Sequence, residues 1–356
     1  MNIHHVVYCA VFGVGTLVSR AGTPVPSHTH ASAVPHVSSI SHTSSARARF
    51  VVDSTGATGR VVVGEYLTGT FCPGCQAHEQ AFDSLLHQYP STQFIALAYH
   101  GSVNYPIADP ADSVWERMYS WYGQAGRGRE KGLFPNQYHD DWIDGHGTMD
   151  NMLSLSGEDL RPKYYRAMVN AIETELHKAP EAVLHVEATP HGGTLQTRVH
   201  VESLAPNRAE TYVRILVVED TVRLQRAPQF DKGGPYPRVE HYMVVRAFAH
   251  DATHVLGLPL TGPGTVSYTF DLAQAQARLL RWWQLGMGAA PGSQEKETAE
   301  DVKQMFSIFS DKANWLIHPS HLHVVAFVQD AHTGEVLQAA MIPVAAGSNG
   351  TPLKLL

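Results

Sequence analysis

The chain has 356 residues, of which 44% are hydrophobic and 17% are charged, so it is long enough for two domains and apolar enough to bury their cores. Its formal net charge is −7, whereas nucleic-acid binding requires clustered positive charge. We therefore expect no nucleic-acid partner. The 22 histidines are spread along the whole chain, which is typical of surface and core residues.

The N-terminal segment has the pattern of a signal peptide over residues 1–21. An apolar run from Val6 to Val18 ends before Ser19-Arg20-Ala21, which resembles a small-x-small cleavage site. The run is shorter than the about 20 residues that cross a bilayer, so we expect no integral membrane span. The sequence therefore predicts an exported protein, either periplasmic, outer-membrane-associated or secreted. A buried N-terminal strand or helix is the alternative interpretation.

Residues 22–49 are rich in Ser, Thr, Pro, Ala and His and show no apolar periodicity, which predicts a flexible linker. Two short strands joined by a turn are expected before Thr68, and the C-x-x-C motif of Cys72 and Cys75 follows. Apolar residues at three- and four-residue steps then predict an amphipathic helix from Pro73 to Tyr89. A buried strand is expected over 93–100.

The rest of the chain divides into a helical part and a strand-rich part. Helices are predicted over 112–122 and 157–178, with a glycine-rich loop at 123–132 between them. From Glu181 onward the apolar period changes to two, which predicts an antiparallel sandwich interrupted by a helical insertion near 272–312. The predicted strands are AVLHVEA, LQTRVHVES, TYVRILVVED, HYMVVRAF, TVSYTFDL, LHVVAFVQD and VLQAAMIPV.

The position of the cysteine pair at a predicted helix start favours redox chemistry. If Pro73 begins the helix, Cys72 lies near unsatisfied backbone N–H groups and the positive end of the helix dipole, which both favour the thiolate. Cys75 follows one turn later, at a spacing compatible with the roughly 5.5 Å Cα separation of a disulfide. Cys72 is then the attacking thiol and Cys75 the resolving thiol.

The neighbouring residues argue against haem attachment and zinc binding at the pair. Covalent haem attachment needs C-x-x-C-H, and Gln76 follows Cys75. A zinc site needs four ligands, and the nearest further candidate is His78, with no second C-x-x-C in the chain. We therefore expect no cofactor and no metal at the pair, whereas a purely structural disulfide between Cys72 and Cys75 stays open.

The chain resembles the thioredoxin-like superfamily in the order of these elements: the strand GRVVVGEYLTG, the motif FCPGC, a helix and the strand FIALAYH. The stretch GLFPNQYHDDWIDG is similar to that family's cis-proline segment, so the resemblance implies a cis bond between Phe134 and Pro135. It also implies that the residues around the dithiol contact the substrate chain. The substrate-binding residues implied in this way are Phe71, Pro73, Gly74, Phe134 and Pro135.

More narrowly, EYLTGTFCPGC is similar to the opening of secreted proteins related to outer membrane protein 28, and VVAFVQDAHTGEVLQAAMIPV is similar to their closing strands. The resemblance implies an α/β thioredoxin-like domain followed by an antiparallel, Ig-like β-sandwich domain, which would bind a partner or anchor the protein at the cell envelope. The predicted divisions are a signal peptide (1–21), a linker (22–49), the thioredoxin-like domain (50–179), the sandwich (180–346) and a C-terminal tail (347–356).

Two residues depart from the pattern of that family. Phe71 replaces the tryptophan that is usual before the first cysteine, and Tyr66 stands where the buried acid of cytosolic thioredoxins would be. Glu65 is next to it, but strand alternation should point it to the other face, where we expect a carboxylate at the edge or rim of the core.

In the second domain, IHPSHLHVV carries three histidines, His318, His321 and His323. An H-x-H on a strand would put His321 and His323 on one face, as a possible metal pair or, as we favour, a polar strand face.

Together these patterns predict an exported thiol–disulfide oxidoreductase that exchanges disulfides with the thiols or disulfides of partner proteins through Cys72 and Cys75. The alternative is a redox-inert envelope or extracellular binding protein in which the same pair forms a structural disulfide.

Overall fold

The computed structural model describes residues 52–53, 59–70, 76–100, 141–143, 146–149, 161–206, 208, 210–225, 239–249, 257–288, 308, 310–344, 353 and 355. The chain divides into two units, Met1–Ser44 and Ser45–Leu356. The first unit, with the predicted signal peptide and most of the predicted linker, lies outside the described residues. All of the described residues belong to the second unit.

The described residues contain thirteen strands and three α-helices. The strands are β1 (Val52–Asp53), β2 (Val62–Thr68), β3 (Phe94–His100), β4 (Asp141–Ile143), β5 (His146–Met149), β6 (Ala182–His191), β7 (Thr194–Leu204), β8 (Thr211–Arg223), β9 (Glu240–Phe248), β10 (Leu258–Leu260), β11 (Gly264–Asp271), β12 (Leu322–Asp330) and β13 (Val336–Pro343). The helices are α1 (Gln76–Gln88), α2 (Arg161–Leu176) and α3 (Leu272–Gly288). Two short 3-10 helices, Lys312–Trp315 and Pro319–His321, precede β12.

The strands form two sheets. The smaller sheet is antiparallel, with the order β1-β6-β7-β11. The larger sheet is mixed, with the order β13-β12-β8-β9-β3-β2-β4-β5 and β10 beside β8. Within it β2 and β3 run parallel from Val62 opposite Phe94 to Thr68 opposite His100, and α1 connects them. β3 meets β9 through Ala98 opposite Val244.

Two apolar cores lie on opposite faces of the larger sheet. On β8, Val213, Ile215 and Val217 pack into the core shared with the smaller sheet, whereas Leu216 and Val218 pack into the core shared with α1 and α2. A strand that is covered on both faces needs a continuous apolar run, and one that is covered on a single face alternates. This is why β8 and β12 are apolar along most of their length, while β6 and β7 alternate between buried and exposed residues.

Helix α1 packs on β2 and β3 through its apolar face. The Phe82 ring stacks on the Tyr66 ring with the centroids 4.2 Å apart, and Leu85 is fully buried beside them. Gly64 on β2 lies under this contact, where a Cβ atom would be 2.7 Å from both Phe82 Cε1 and Phe94 Cζ. The close approach of helix and strand therefore depends on a residue without a side chain.

A network of charged side chains joins distant segments near the turn between β12 and β13. The guanidinium of Arg208 contacts Glu181 at 2.8 and 2.9 Å, Glu335 at 2.9 Å and Asp330 at 3.2 Å. Arg60, which is buried just before β2, donates to the carbonyl of Val336 and lies 3.5 Å from Glu335. The start of β2 is thereby connected to the end of the chain's strand-rich part.

These contacts change the pKa values of two carboxyl groups. Burial by itself would raise the pKa of Asp330, but hydrogen bonds from Thr333, His332 and Arg208 outweigh it and the pKa is lowered. Burial acts in the same sense on Glu335, and its hydrogen bond with Arg208 and the nearby positive charges again leave the pKa lowered. Both carboxylates are therefore stabilised in the charged form by the fold.

The predicted elements that fall on described residues are confirmed as to type. They include the helix after the cysteine motif, the buried strand after it, the helix at 161–176, the seven strands after Glu181 and the start of the insertion helix at Leu272. The two strands expected before Thr68 exist, but they enter different sheets, because β1 pairs with β6. The predicted helix at 112–122, the loop at 123–132 and residues 289–307 of the predicted helical insertion lie outside the described residues.

The larger sheet crosses the predicted domain boundary near residue 180. Strands β2 to β5 come from the first predicted domain and β8, β9, β12 and β13 from the second, and β3 beside β9 makes the sheet continuous. The division into a thioredoxin-like domain and an Ig-like sandwich stays a prediction. None of the helices in the described part of the chain combines the length and apolar character of a membrane-spanning helix.

We expect Gly64→Ala to destabilise the protein by about 1–3 kcal/mol, because the added methyl group overpacks the contact between Phe82 and Phe94. Gly59→Ala is the matched control, since a Cβ atom there meets nothing within 4 Å. That control should be neutral or stabilising by up to about 1 kcal/mol. Urea unfolding of the two variants measures the difference, and equal midpoints would contradict the packing described for Gly64.

The pH dependence of stability should depend on Arg208. Carboxyl groups with lowered pKa values stabilise the fold above their ordinary values, here 3.8 for Asp330 and 4.5 for Glu335, and this stabilisation is lost as the pH falls through the lowered values. Arg208→Leu should therefore lower the urea midpoint at neutral pH, and its difference from wild type should shrink below about pH 5.

Arg223→Leu is the control for Arg208→Leu, because its ion pair with Glu240 is largely exposed and should contribute at most about 1 kcal/mol. A difference between Arg208→Leu and wild type that stays constant from about pH 7 to about pH 3 would show that the lowered carboxyl pKa values do not depend on Arg208.

Candidate functional site

The residues of the predicted redox site lie outside the described part of the chain. They are Phe71, Cys72, Pro73, Gly74 and Cys75 of the motif segment, with Phe134 and Pro135 of the predicted cis-proline segment. The structure describes the residues on both sides of the motif. Thr70 follows the end of β2, and Gln76 begins α1.

The carboxyl ends of β2 and β3 lie side by side at this point, because Thr68 is opposite His100 in the parallel ladder. Helix α1 begins beyond the same end of β2, and its first turn contains His78 and Glu79, which are both buried. In a parallel strand–helix–strand unit, polar side chains that follow the strands meet at one edge of the sheet. Thr68, Glu79 and His100 meet there.

Glu79, His100 and His241 form a buried cluster at this edge, which we call the Glu–His–His cluster. One carboxylate or imidazole atom from each residue lies within 4.8 Å of the corresponding atoms of the other two. Nδ1 of His241 is 3.7 Å from Oε1 of Glu79, and the rings of His100 and His241 meet edge to face with centroids 4.6 Å apart. The relative exposures of the three residues are 3%, 1% and 2%.

Two buried threonines orient the cluster. The Thr68 hydroxyl donates a hydrogen bond to Oε1 of Glu79. The Thr70 hydroxyl lies 3.4 Å from Nε2 of His241, so the other ring nitrogen of that histidine, Nδ1, is the one directed at Glu79. Each of these side chains is thereby held in one orientation.

The cluster brings together three parts of the chain. Glu79 comes from α1, His100 from β3 and His241 from β9, and the sheet order places β9 directly beside β3. None of these three residues is among the site residues predicted from the sequence. Glu79 is close to the motif in sequence, but no spacing pattern connects it with His241, which is brought to it by the pairing of β3 with β9.

Glu65 lies on the opposite face of β2 from Tyr66, as strand alternation predicted, but the expectation of a position at the edge or rim of the core is wrong. Glu65 is buried and accepts a hydrogen bond of 2.8 Å from the hydroxyl of Tyr99. Burial and the Glu65 carboxylate raise the pKa of Tyr99 well above its ordinary value, and Arg214 acts in the opposite sense. Glu65 is thus part of the interior.

The three histidines of IHPSHLHVV lie apart from this site. His321 belongs to the 3-10 helix Pro319–His321 and His323 to β12, so the expectation of both on one strand is wrong. Both approach Asp220, with Nδ1 2.9 Å from a carboxylate oxygen for His321 and 3.8 Å for His323. In the part of the chain that the structure describes, three or more metal-ligand side chains come within reach of one another only at the Glu–His–His cluster.

Comparison of the chain with protein-family models, with curated proteins and with solved structures found no match. A buried carboxylate and two buried imidazoles can bind a cation or share a proton, and the connection between β2 and α1 contains two cysteines.

We expect Thr68→Val to destabilise the fold by about 1–3 kcal/mol, because it removes the hydroxyl that donates to a buried carboxylate while it keeps the shape of the side chain. Thr174→Val is the control, since its hydroxyl is exposed and bonds to the carbonyl of Asn170 within α2. The control should change stability by no more than about 0.5 kcal/mol. Urea unfolding measures both variants, and similar midpoints would argue against the contact between Thr68 and Glu79.

Proposed function

We propose that this protein is an exported, thioredoxin-like thiol–disulfide oxidoreductase that exchanges disulfides with partner proteins through Cys72 and Cys75. Phe71, Pro73, Gly74, Phe134 and Pro135 would contact the partner chain around the dithiol. The strand-rich C-terminal part would bind a partner or hold the protein at the cell envelope.

The observation that carries the proposal is the place of the motif in the chain. The parallel strands β2 and β3 are connected through α1, and both cysteines fall between the end of β2 and the first residue of α1. Cys72 is two residues beyond Thr70, and Cys75 directly precedes Gln76. A thiol at a strand–helix connection of this kind is close to the positive end of a helix dipole, which favours the reactive thiolate.

The following elements support the same proposal. After β3 the sheet continues on the other side of β2 with β4 antiparallel to β2 and β5 antiparallel to β4, and α2 packs against α1. A strand–helix–strand unit followed by a hairpin and a helix is the order that we expect of a thioredoxin-like domain. In this protein the unit shares its sheet with the strands after residue 180.

The exchange reaction needs no cofactor. The Cys72 thiolate attacks one sulfur of a partner disulfide, so that a mixed disulfide forms and the second partner sulfur leaves as a thiolate that takes up a proton. The Cys75 thiolate then attacks the Cys72 sulfur and releases the first partner thiol. The partner gains two electrons, the Cys72–Cys75 pair loses them, and the reverse sequence oxidises a partner dithiol.

We expect a Cys75→Ser variant in a Cys9→Ser background to accumulate a stable mixed disulfide when it is mixed with glutathione disulfide, because the resolving thiol is gone. Mass spectrometry should locate the added glutathione on Cys72. Cys72→Ser in the same background is the matched control and should take up far less. Equal labelling of the two variants would overturn the assigned roles of the cysteines.

The reduction potential of the pair separates exchange from a structural disulfide. Equilibration with glutathione buffers should give a value between roughly −270 and −120 mV, which is the range of exchange catalysts. A value below about −300 mV, with slow alkylation of the reduced thiols, would instead support the alternative of a redox-inert envelope or extracellular binding protein.

A further inference from the structure

We propose that the Glu–His–His cluster is a binding site for a divalent transition-metal ion of the zinc class, held by the carboxylate of Glu79 and the imidazoles of His100 and His241. The site lies beyond the proposed exchange reaction and requires neither cysteine. Its ligands come from α1, β3 and β9, all of which the structure describes.

The donor set selects the type of metal. Two imidazole nitrogens and one carboxylate oxygen are the protein ligands of a common class of zinc sites, and imidazole also suits iron, nickel and copper. Calcium and magnesium prefer sites made of oxygen ligands alone. The cluster therefore fits a borderline metal ion better than a hard one.

The distances in the cluster are close to those of a bound state. Zinc bonds of 2.0–2.2 Å at tetrahedral angles place two ligand atoms about 3.3–3.5 Å apart. Nδ1 of His241 and Oε1 of Glu79 are already 3.7 Å apart, and all three ligand atoms lie within 4.8 Å of one another. Shifts of about 1 Å by the three side chains, one on a helix and two on strands, would bring their ligand atoms to bonding distance of one ion.

The residues behind the ligands have the arrangement that metal sites use. Metal-binding histidines commonly bond through their second ring nitrogen to a polar group, and metal-binding carboxylates accept a further hydrogen bond. His241 meets the Thr70 hydroxyl through Nε2, and Glu79 accepts from the Thr68 hydroxyl. These contacts direct Nδ1 of His241 toward the carboxylate, where the ion would bind.

The charge balance also favours a cation. Glu79 is almost fully buried beside two imidazoles, and a nearby positive charge would offset part of the cost of burying its ionised carboxylate. Either a metal ion or a proton on one imidazole can supply that charge. The two possibilities differ in a way that can be measured, because only the first gives a stoichiometric, chelator-sensitive metal.

The test uses the full chain with Cys9, Cys72 and Cys75 all replaced by serine, so that no thiol can bind the metal. After treatment with a chelator, the protein is titrated with zinc sulfate in competition with a chromogenic chelator, and the bound metal is counted by elemental analysis. We expect one zinc ion per chain. His100→Gln and His241→Gln should each weaken binding by at least about 100-fold, and Thr68→Val by about 10- to 100-fold.

His321→Ala and His323→Ala are the matched controls, because these histidines lie near Asp220 rather than in the cluster, and they should leave zinc binding unchanged. Circular dichroism and urea unfolding report whether each variant folds. No zinc bound by the cysteine-free chain, or binding that the His100 and His241 substitutions leave intact, would overturn the proposal.

A second measurement needs no ligand variant. Zinc X-ray absorption on the reduced wild-type chain should show nitrogen and oxygen neighbours at about 2.0–2.2 Å with the scattering pattern of imidazole. A sulfur shell at about 2.3 Å would place the metal on Cys72 and Cys75 and would overturn the cluster as the site. Trapping of the mixed disulfide is measured on metal-free protein, so the failure of either proposal is distinguishable from the failure of the other.

Discussion

Strand β3 lies in the interior of the larger sheet, between β2 and β9. All seven residues from Phe94 to His100 are buried, and the strand pairs with β2 on one side and meets β9 on the other. An interior strand that is covered on both faces must be apolar or have its polar groups bonded. Its last two residues meet that requirement on opposite faces, because the Tyr99 hydroxyl bonds to Glu65 and His100 joins the Glu–His–His cluster. The pairing of β3 with β9 is what brings His241 close to Glu79.

The larger sheet also carries buried charged side chains. Glu219 on β8 and Arg246 on β9 form a fully buried ion pair at 2.7 Å, and Glu219 also accepts from the backbone N–H of His318. Such pairs contribute little net stability, because both charges lose their water, yet the loss of one partner is costly. We interpret the pair as a constraint on register, since a slip of one residue would move Glu219 to the other face of the sheet. The register in turn determines where His241 of β9 lies relative to the neighbouring strands.

The two proposals concern one edge of the larger sheet but different chemistry. The dithiol is attached to the end of β2 and the start of α1 by chain connectivity, and the cluster draws on α1, β3 and β9. Thr68 and Thr70 come just before the cysteine motif in the chain, and both are buried with their hydroxyls at the cluster. The segment that leads into the cysteine motif therefore also holds the cluster in place. A metal ion there would add positive charge at the sheet edge where β2 ends and α1 begins.

Local pattern predicted the elements well where periodicity was strong. The apolar residues Ala81, Phe82, Leu85 and Tyr89 recur at three- and four-residue steps and do form the buried face at α1, and the alternating and continuous apolar runs after Glu181 do form strands. The same patterns did not reveal that β1 pairs with β6, that β3 meets β9, or that Glu79, His100 and His241 come together. Apolar periodicity depends only on residues that are close in the chain. The sequence by itself therefore determined which segments are helices or strands and which of their faces are apolar. Backbone hydrogen bonds between strands are alike at every residue, so they do not specify which strands pair. Pairing depends on the packing of whole apolar faces, and only the tertiary structure therefore decided which side chains meet at the edge of the sheet.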